Sequence, residues 1–258
     1  MSQLSPYEKV CEFNKAFDYK VYSIHNGNPL IDYPKDAKYR YDLIHEEGVI
    51  ELGMAFKNND RVETMDGIAD LLYVLYGACY TYNLNPDKMI NCLYGNYNNF
   101  YNKTQMVIFN SDLSSKEYYQ LLLDSIKELK ECLLVKQNII ELYSALFKTI
   151  ISTYEFGFNL RININKVFDI VHNSNMSKLC KTEEEANETV RFYETKYEMY
   201  KTHYQEYCNK FGSESSEAKN VYSPYDSPYY YKSGDFYLVK NKSTGKALKS
   251  INYTPVIL

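Results

Sequence analysis

The chain has 258 residues, of which 45% are hydrophobic, and a formal net charge of -4 at pH 7. This length and composition allow one large buried core, and the weakly acidic balance excludes the basic surface of a general nucleic-acid-binding protein. No apolar run is long enough to span a bilayer and no secretory leader is recognisable. We therefore expect a cytoplasmic protein, which for a virus means the host cytoplasm.

The six cysteines and four histidines are scattered along the chain. None of them has the close spacing of a zinc site, and a chain outside the secretory pathway keeps its thiols reduced. We therefore expect structural thiols rather than disulfides or a zinc centre.

The N-terminal part of the chain is predicted to contain one helix followed by a helical hairpin. The first helix covers residues 5–18, and turn residues mark a loop over 22–37. Two apolar helical patterns follow at 38–57 and 61–82. Asp60, between them, is a suitable N-cap for the second helix. The short polar turn predicts that these two helices pack antiparallel.

Four acidic residues are placed so that this hairpin brings them together. Glu47 and Glu51 are four residues apart, so they lie on one face of the first helix. Asp66 and Asp70 have the same spacing on the second helix. Residues at equal height in an antiparallel hairpin have position numbers with a constant sum. That rule places Glu47 level with Asp70, and Glu51 level with Asp66.

The apolar neighbours of these four acids predict that much of the cluster faces the interior. Unpaired carboxylates there are costly, and neighbouring ones either share protons or bind a cation. A hard divalent ion held by oxygen ligands resolves the cost, most simply Mg²⁺, with Mn²⁺ as a substitute. We therefore predict a metal site whose ligands are Glu47, Glu51, Asp66 and Asp70.

The alternative interpretation is that the four acids are solvated residues on helix surfaces. A single E-x-x-x-E or D-x-x-x-D spacing carries almost no information. Two such pairs at matching heights, on helices with otherwise apolar faces, favour the metal site. Glu63, in the second helix, is interpreted as a surface acid.

The middle of the chain is predicted to be an inserted helical hairpin over about 110–160. Residues 83–112 are mixed in character, with a short helix starting at Pro86. Ser114 then opens a capping box and a strongly apolar helical pattern, which breaks near Lys136 and resumes. The apolar stripe favours a hairpin that extends the bundle or a subunit interface, and a lid or specificity element is the alternative.

The C-terminal part of the chain is predicted to contain two helices and a small β-hairpin. Residues 165–172 form one helix, and a long polar helix runs from Thr182 to about residue 209. A loop or linker over 211–227 leads to the β-hairpin, whose strands are predicted at 236–239 and 247–251. We find no internal repeat.

Several of these segments together resemble the MazG-like all-alpha nucleoside triphosphate pyrophosphatases. The resemblance rests on EFNKAF at 12–17, RYDLIHEE at 40–47 with EL at 51–52, DGIADLLYVLYG at 66–77, VHNSNMSK at 171–178, and GKALKS with YTP at 245–255. The motifs occur in the family's order and cover about half of the chain. The resemblance implies a mainly α fold, an all-alpha NTP pyrophosphatase helical bundle, here with an inserted helical hairpin and a small C-terminal β-hairpin.

The resemblance also implies a reaction and a substrate. The chain is expected to be a Mg²⁺-dependent nucleoside triphosphate diphosphatase that cleaves (d)NTP to (d)NMP and pyrophosphate by attack of water on the α-phosphorus. Asn175 and Lys178 are expected to bind phosphate or sugar oxygens, and Lys246 and Lys249 to contact the triphosphate. Two alternatives stay open: a catalytically degenerate helical interaction protein, and a related hydrolase acting on phosphoribosyl-ATP.

The chain departs from the family at one place in its acidic motif. Family members read EExxEL, whereas this chain reads EEGVIEL from Glu46 to Leu52, with one extra residue. An extra residue inside a helix can be absorbed as a π-bulge, which is frequent at functional sites. Glu47 and Glu51 then still face each other. Glu46 is either a second-metal ligand or the base that activates water.

The expected organisation is one helical domain with a tail, in an oligomer. Residues 1–210 are expected to form the pyrophosphatase domain, including the insertion, and 211–258 a loop and β-hairpin that pack on the same domain. The resemblance implies a homodimer or dimer of dimers, since a two-helix hairpin needs further helices to bury its apolar faces. No membrane partner is expected.

Overall fold

The computed structural model describes residues 4–23, 27–212 and 225–258, and this part of the chain is mainly helical. Two antiparallel strands near the C-terminus make a small sheet. The predicted fold class, mainly α with a small C-terminal β-hairpin, is therefore confirmed. Within the described ranges, no helix has both the length and the apolar character needed to cross a membrane.

The helical elements include two π-helical segments, which we call π1 and π2. In chain order the elements are α1 (Pro6–Ala16), α2 (Pro29–Asp32), α3 (Pro34–His45), π1 (Glu46–Glu51), α4 (Leu52–Lys57), α5 (Arg61–Thr81), α6 (Pro86–Tyr94), α7 (Tyr97–Phe109), α8 (Ser115–Lys130), π2 (Glu131–Lys136), α9 (Ile139–Asn159), α10 (Ile164–Met176), α11 (Glu183–Phe211), β1 (Pro228–Ser233) and β2 (Phe236–Asn241).

The chain divides into two compact units, which are described separately. The first unit contains residues 1–14, 19–172 and 256–258, and the second contains 15–18 and 173–255. The predicted division into a domain at 1–210 and a tail at 211–258 is not tested by these units and stays a prediction. Residues 213–224 of the predicted linker and residues 24–26 of the predicted N-terminal loop lie outside the described residues.

The acidic hairpin of the first unit consists of α3, π1 and α4 in one arm and α5 in the other. Asn59 in the turn has a left-handed conformation, with φ of 57°. The Asp60 carboxylate accepts hydrogen bonds from the amides of Val62 and Glu63, both at 3.1 Å. This is the predicted N-cap, and it starts a helix of 21 residues. Both π1 and α4 pack against α5, so the two arms lie side by side.

A second hairpin in the same unit consists of α8 and π2 in one arm and α9 in the other. Ser114 and Glu117 form the predicted capping box at the start of α8. Gln137 in the turn has a φ of 48°, which gives the predicted break near Lys136. Helix α9 packs against α8, α7 and α5. The segment predicted as an insertion therefore contributes to the helical core of this unit.

Helix α7 was not predicted from the sequence. The Asn96 side chain caps it by accepting a hydrogen bond from the Asn99 amide at 2.8 Å. Phe100 is fully buried and packs edge-on against Tyr154, with ring centroids 5.2 Å apart. Asn and Tyr are weak helix formers, so the local composition gave no helical signal. Tertiary packing of Phe100 stabilises this helix instead.

The second unit is organised around α11 and the β-hairpin. Helix α11 starts where it was predicted, and the Thr182 hydroxyl caps it by accepting a hydrogen bond from the Glu185 amide at 3.2 Å. Both strands pack against α11, and a small apolar core lies between them. That core consists of Cys180, Ala186, Tyr193, Val239 and Leu248.

The partner that we predicted for the strand at 236–239 was wrong. The structure pairs β2 with β1, which precedes it, through a two-residue turn in which Gly234 has a φ of 59°. A Gly at this first turn position suits a tight hairpin turn. The predicted second strand at 247–251 contributes only the isolated bridge from Ala247 to Lys240. Strand β2 pairs with β1 because the loop between them is shorter and closing it costs less conformational entropy.

Candidate active site

The π-helical segment π1 carries the acidic motif, as the extra residue in EEGVIEL predicted. Its six residues run from Glu46 to Glu51, and ordinary α-helix resumes at Leu52. The Tyr119 hydroxyl on α8 donates a hydrogen bond to the Gly48 carbonyl at 3.2 Å. A carbonyl within a distorted helical turn thus has a side-chain partner, which stabilises the distortion.

Gly48 is needed at this place because α8 approaches the backbone closely. A Cβ added to Gly48 would lie 2.7 Å from Ile126 Cδ1 and 3.0 Å from Leu71 Cδ1. Neighbouring side chains occupy that space, so any larger residue would push α8 or α5 away. The glycine therefore lets the π1 segment sit between two helices.

Glu47 lies at the centre of the acidic cluster and is half-buried. Burial, together with neighbouring negative charges, raises the pKa of Glu47 to about 8. The contributing carboxylates, from the largest effect to the smallest, are Asp70, Glu51, Glu46 and Asp66. The hairpin thus brings the predicted acids of both arms within electrostatic range of Glu47.

Asp66 contains an atom that lacks a partner. Its Oδ1 atom is buried and has no hydrogen-bond partner among the described residues. Burial raises the pKa of Asp66, and the charges of Glu63 and Glu51 raise it further. A buried carboxylate oxygen without a donor is costly, and it is the kind of atom that a cation or a donor group would satisfy.

The cluster is more exposed than the sequence analysis predicted. Glu47, Asp66 and Asp70 are half-buried, whereas Glu46 and Glu51 are exposed. The prediction that the cluster faces the interior was therefore wrong in part. These acids therefore form a surface that solvent and a ligand can reach.

The side chains of the acidic cluster are of the type that binds a hard divalent cation, but they are not positioned around one point as metal ligands are. All its members are carboxylates, and one of their oxygens is buried and unpaired. In the described part of the chain, however, no three His, Cys, Asp or Glu side chains lie close enough together to hold a metal ion. A cation at this site would have to draw the carboxylates together by rotation of their side chains.

Two residues near the cluster were not part of the predicted site. Glu63 was interpreted as a surface acid, and it is exposed, yet its charge acts on Asp66. Tyr119 belongs to the predicted insertion and contacts π1. Glu63 was detectable, because it lies three residues before Asp66 on the same helix face. Tyr119 was not, because its contact depends on how two distant segments pack.

The predicted substrate-binding residues all belong to the second unit. The Lys178 ammonium donates a hydrogen bond to the Asn175 side-chain oxygen at 2.5 Å. The Lys249 ammonium lies 4.0 Å from the centre of the Tyr253 ring. The hydroxyl of Ser177 accepts a hydrogen bond from the Thr254 amide at 2.9 Å, which joins the SNMSK segment to the tail. Two motifs that are far apart in sequence therefore form one cluster here.

The pKa of Tyr253 reports a positive potential in this second cluster. Burial raises the pKa of Tyr253, but hydrogen bonds with Ser174 and Lys249 and the charges of Lys249 and Lys178 outweigh burial, and the net pKa lies below its usual value. Lys246 differs, because it is exposed and its backbone closes the turn after β2. The contacts that join Lys178 and Lys249 to Tyr253 do not include the Lys246 side chain.

Comparison with known proteins gives a family for the N-terminal part of the chain. The profile of the phosphoribosyl-ATP pyrophosphohydrolase family matches residues 10–94, which contain all five acids of the cluster. An uncharacterized protein of Acanthamoeba polyphaga mimivirus is 32% identical over 198 residues, covering 73% of this chain and 77% of that protein. No solved structure matches the chain. The chain therefore belongs to the MazG-like all-alpha NTP pyrophosphatase superfamily, through a phosphoribosyl-ATP pyrophosphohydrolase domain.

Proposed function

We propose that the protein is a Mg²⁺-dependent nucleoside triphosphate pyrophosphohydrolase that releases pyrophosphate and a monophosphate from (d)NTP. The observation that carries the proposal is the mutual repulsion of carboxylates from both arms of one hairpin around Glu47. A fold gains nothing from gathering like charges at its surface, so their placement calls for a counter-charge. Family membership supplies the class of reaction.

Glu47, Glu51, Asp66 and Asp70 are the proposed metal ligands. Magnesium, when bound, offsets the negative charge of a triphosphate and makes a water molecule more acidic, and Mn²⁺ can substitute for it. The orphaned Asp66 oxygen supports this assignment, since it lacks any donor within the described residues. Glu51 is exposed, yet its charge raises the pKa of Glu47 on its own arm and of Asp66 on the other arm. It is therefore within electrostatic range of acids on both arms.

Glu46 and Glu47 are the proposed catalytic residues. One of them accepts a proton from the attacking water, whose oxygen forms a bond to the α-phosphorus. The bond from that phosphorus to the α–β bridging oxygen breaks, and the bridging oxygen leaves with pyrophosphate. Glu46 is exposed and next to Glu47, which suits the proton acceptor, and a second-metal ligand is its alternative role.

Asn175, Lys178, Lys246 and Lys249 are the proposed substrate-binding residues. The positive potential that lowers the pKa of Tyr253 supports this role for Lys178 and Lys249. Ammonium groups bind phosphate oxygens as point charges, and the Asn175 amide can contact a phosphate or a sugar hydroxyl. We expect loss of Lys178 or Lys249 to raise KM more than it lowers kcat.

The experiment that tests the proposal is a substrate panel. Pyrophosphate and monophosphate release would be measured for the common NTPs and dNTPs and for phosphoribosyl-ATP, with Mg²⁺, Mn²⁺ or EDTA. The variants are Glu47→Gln and Asp70→Asn, and the matched control is Asp124→Asn, an exposed acid on α8 that hydrogen-bonds Gln120. We expect Mg²⁺-dependent pyrophosphate release that both variants lose and the control keeps.

Other outcomes would favour the alternatives. Cleavage of phosphoribosyl-ATP alone would assign the substrate named by the family profile. Release of single phosphate would contradict the proposed bond. Wild type as inactive as the variants on every substrate would favour a degenerate protein whose helices serve interaction.

A further inference from the structure

The two hairpins of the first unit have the same construction, and we infer that residues 112–172 are a second copy of residues 34–94 that lacks the four predicted metal ligands. This copy covers the apolar face of the acidic hairpin within one chain. The sequence analysis found no repeat, and few side chains are shared. The inference rests on backbone geometry, burial and contacts, and its consequence for the active site rests on the proposed function.

The turns of the two hairpins correspond residue by residue, with numbers that differ by a constant 78. Gln137 takes the same left-handed conformation as Asn59, with φ of 48° against 57°. The next residue caps the following helix in each case, Asn138 for α9 and Asp60 for α5. A left-handed residue followed directly by an N-cap is a specific arrangement, since left-handed non-glycine residues are uncommon.

The correspondence continues through the whole second arm and beyond it. Helices α5 and α9 both have 21 residues. Each ends before a second left-handed residue, Asn83 after α5 and Arg161 after α9, with φ of 54° and 57°. Helices α6 and α10 then begin at Pro86 and Ile164, again 78 apart. The constant spacing is kept without an insertion or deletion.

The same positions are buried in both copies. After the shift of 78, every buried residue of α9 except Ser152 falls on a buried residue of α5. The pairs include Thr64 with Leu142, and Leu72 with Ile150. Helix α9 therefore presents to the core the same face as α5. Two unrelated helices of equal length would not share both their ends and their buried face.

Equivalent residues also touch each other, as they must near a two-fold axis. The hydroxyls of Tyr76 and Tyr154 lie 3.3 Å apart. At the start of α5 the Arg61 guanidinium donates a hydrogen bond to the carbonyl of Leu160, after the end of α9, at 3.3 Å. The Arg61 contact joins the start of α5 to the residue after the end of α9, so the two helices are antiparallel. Such a self-complementary contact is the type that two identical subunits make.

The first arms show the same relation. The place of a Cβ on Gly48 is 2.7 Å from Ile126, its equivalent. The Tyr41 ring lies 5.4 Å from the ammonium of Lys130 on the other copy. Reciprocally, Tyr119, the equivalent of Tyr41, contacts the region of Gly53, next to the equivalent of Lys130. Contacts that occur in reciprocal pairs indicate approximate two-fold symmetry.

A cavity of about 640 Å³ has walls that agree with this symmetry. Its lining includes Asp87 and Asn91 from α6, and their equivalents Asn165 and Asp169 from α10. Equivalent residues of the two short helices that follow the hairpins thus line one cavity. The relation therefore extends to the helices beyond the two hairpins.

The second copy lacks the chemistry of the first. The positions of Glu47, Glu51, Asp66 and Asp70 are taken in the second copy by Ser125, Leu129, Ser144 and Lys148. Asp124, at the place of Glu46, is the one acid that the second copy keeps at these five positions. Lys148 forms an ion pair with Glu128 at 2.5 Å and so contributes to the surface of the second hairpin. One chain therefore has one acidic site, and its second hairpin supplies the packing surface that a second subunit would otherwise provide.

A disulfide between equivalent residues tests this arrangement without reference to catalysis. A Cβ on residue 48 would lie 2.7 Å from Ile126 Cδ1, so we expect the two thiols of Gly48→Cys/Ile126→Cys to come within bonding reach of each other. We expect oxidation to join the two peptides within one 30.4 kDa chain, as seen by non-reducing electrophoresis and peptide mapping. The single variants are the controls.

A link between two chains, or two free thiols that fail to bond in folded protein, would overturn the inference. If the double variant does not fold, an equivalent test uses Tyr76→Phe and Tyr154→Phe, whose effects on the free energy of unfolding are expected to be non-additive. Additive effects would contradict the contact near the axis. None of these results depends on whether the protein hydrolyses a nucleotide.

A mixing experiment tests the consequence for the active site. Wild type and Glu47→Gln would be mixed in several ratios, with the mass in solution measured by light scattering. We expect pyrophosphate release to follow the wild-type fraction linearly and specific activity to be unchanged on dilution, whatever oligomer forms. A quadratic dependence, or activity lost as an oligomer dissociates, would show that two chains build each site. Complete inactivity of wild type would instead contradict the proposed function, and the disulfide experiment alone would then test the relation between the two hairpins.

Discussion

The two hairpins of the first unit share one backbone arrangement, which we call the frame, but carry different side chains at the acidic positions. Both have a left-handed turn residue, an N-cap and a 21-residue second helix, and each first arm contains a π-helical segment, although the two segments lie at different positions. In the first hairpin Glu47 is surrounded by carboxylates that raise its pKa, whereas the four equivalent positions of the second hairpin carry Ser125, Leu129, Ser144 and Lys148, and Lys148 is paired with Glu128. The frame is therefore set by caps, turns and apolar faces, and the acids are an addition that makes folding harder.

The largest expected effect is on catalytic activity, which should depend on the acids of the first hairpin and not on the equivalent residues of the second. Asp70→Asn should lower kcat/KM for the best nucleotide by about 100-fold or more, since it removes a charge that would hold the cation. Lys148→Asn changes the equivalent position on α9 and should leave kcat/KM within about two-fold, as surface changes usually do. Steady-state pyrophosphate release measures both. Equal losses in the two variants would mean that the second hairpin takes part in the reaction.

The next effect concerns the space around π1. Gly48→Ala should lower the free energy of unfolding by about 1 to 3 kcal/mol, because the new methyl meets Ile126 and Leu71. Gly77→Ala is the control, because its Cβ would make only ordinary contact, 3.4 Å from Arg40. Alanine there should raise stability by up to about 1 kcal/mol. Urea denaturation of both variants checks the pair, and a stabilising Gly48→Ala would contradict the packing described for π1.

A smaller effect concerns how much the acidic cluster lowers the free energy of unfolding. At about pH 9 in EDTA, above the Glu47 pKa of about 8, Glu47→Gln should raise the free energy of unfolding by about 1 kcal/mol, because it removes a half-buried charge that four carboxylates repel. Glu128→Gln on the second hairpin removes an exposed, paired acid and should change stability by about 0.5 kcal/mol or less. Adding Mg²⁺ should then stabilise wild type more than Glu47→Gln. A destabilised Glu47→Gln in EDTA would show that the acid is paired rather than repelled.

The smallest effect tests whether the frames are equal. Asp60→Ala and Asn138→Ala remove equivalent N-caps, each of which accepts two backbone hydrogen bonds. Each should lower the free energy of unfolding by about 1 kcal/mol. Thermal denaturation with Asp60→Asn and Asn138→Asp as conservative controls measures them. A loss confined to one variant would break the equivalence of the two turns.

The sequence was sufficient for local features that depend on a few neighbouring residues. The N-cap at Asp60 and the capping box at Ser114 were each predicted from residue type and spacing. The extra residue in EEGVIEL predicted the π-helical segment, because the family motif fixed the expected spacing. These predictions succeeded because the interactions involved lie within one or two helical turns.

The sequence was insufficient where packing between distant segments decides. Helix α7 depends on Phe100 meeting Tyr154, and the exposure of Glu51 depends on how π1 turns against α5. The relation between the hairpins was invisible, because it is carried by turn geometry and buried faces rather than by shared residues. The metal ligands and substrate lysines stay predictions, because no structural contact yet tests them.

The π1 segment also bears on how such a motif can change over time. One added residue in an ordinary helix would rotate everything beyond it by about 100°. Here the rotation is confined to six residues, since α4 resumes at Leu52 and the Asp60 cap keeps its place. A single-codon insertion in the acidic motif therefore leaves the rest of the hairpin in register. Deletion of one residue from this segment should likewise be tolerated as a return to regular helix.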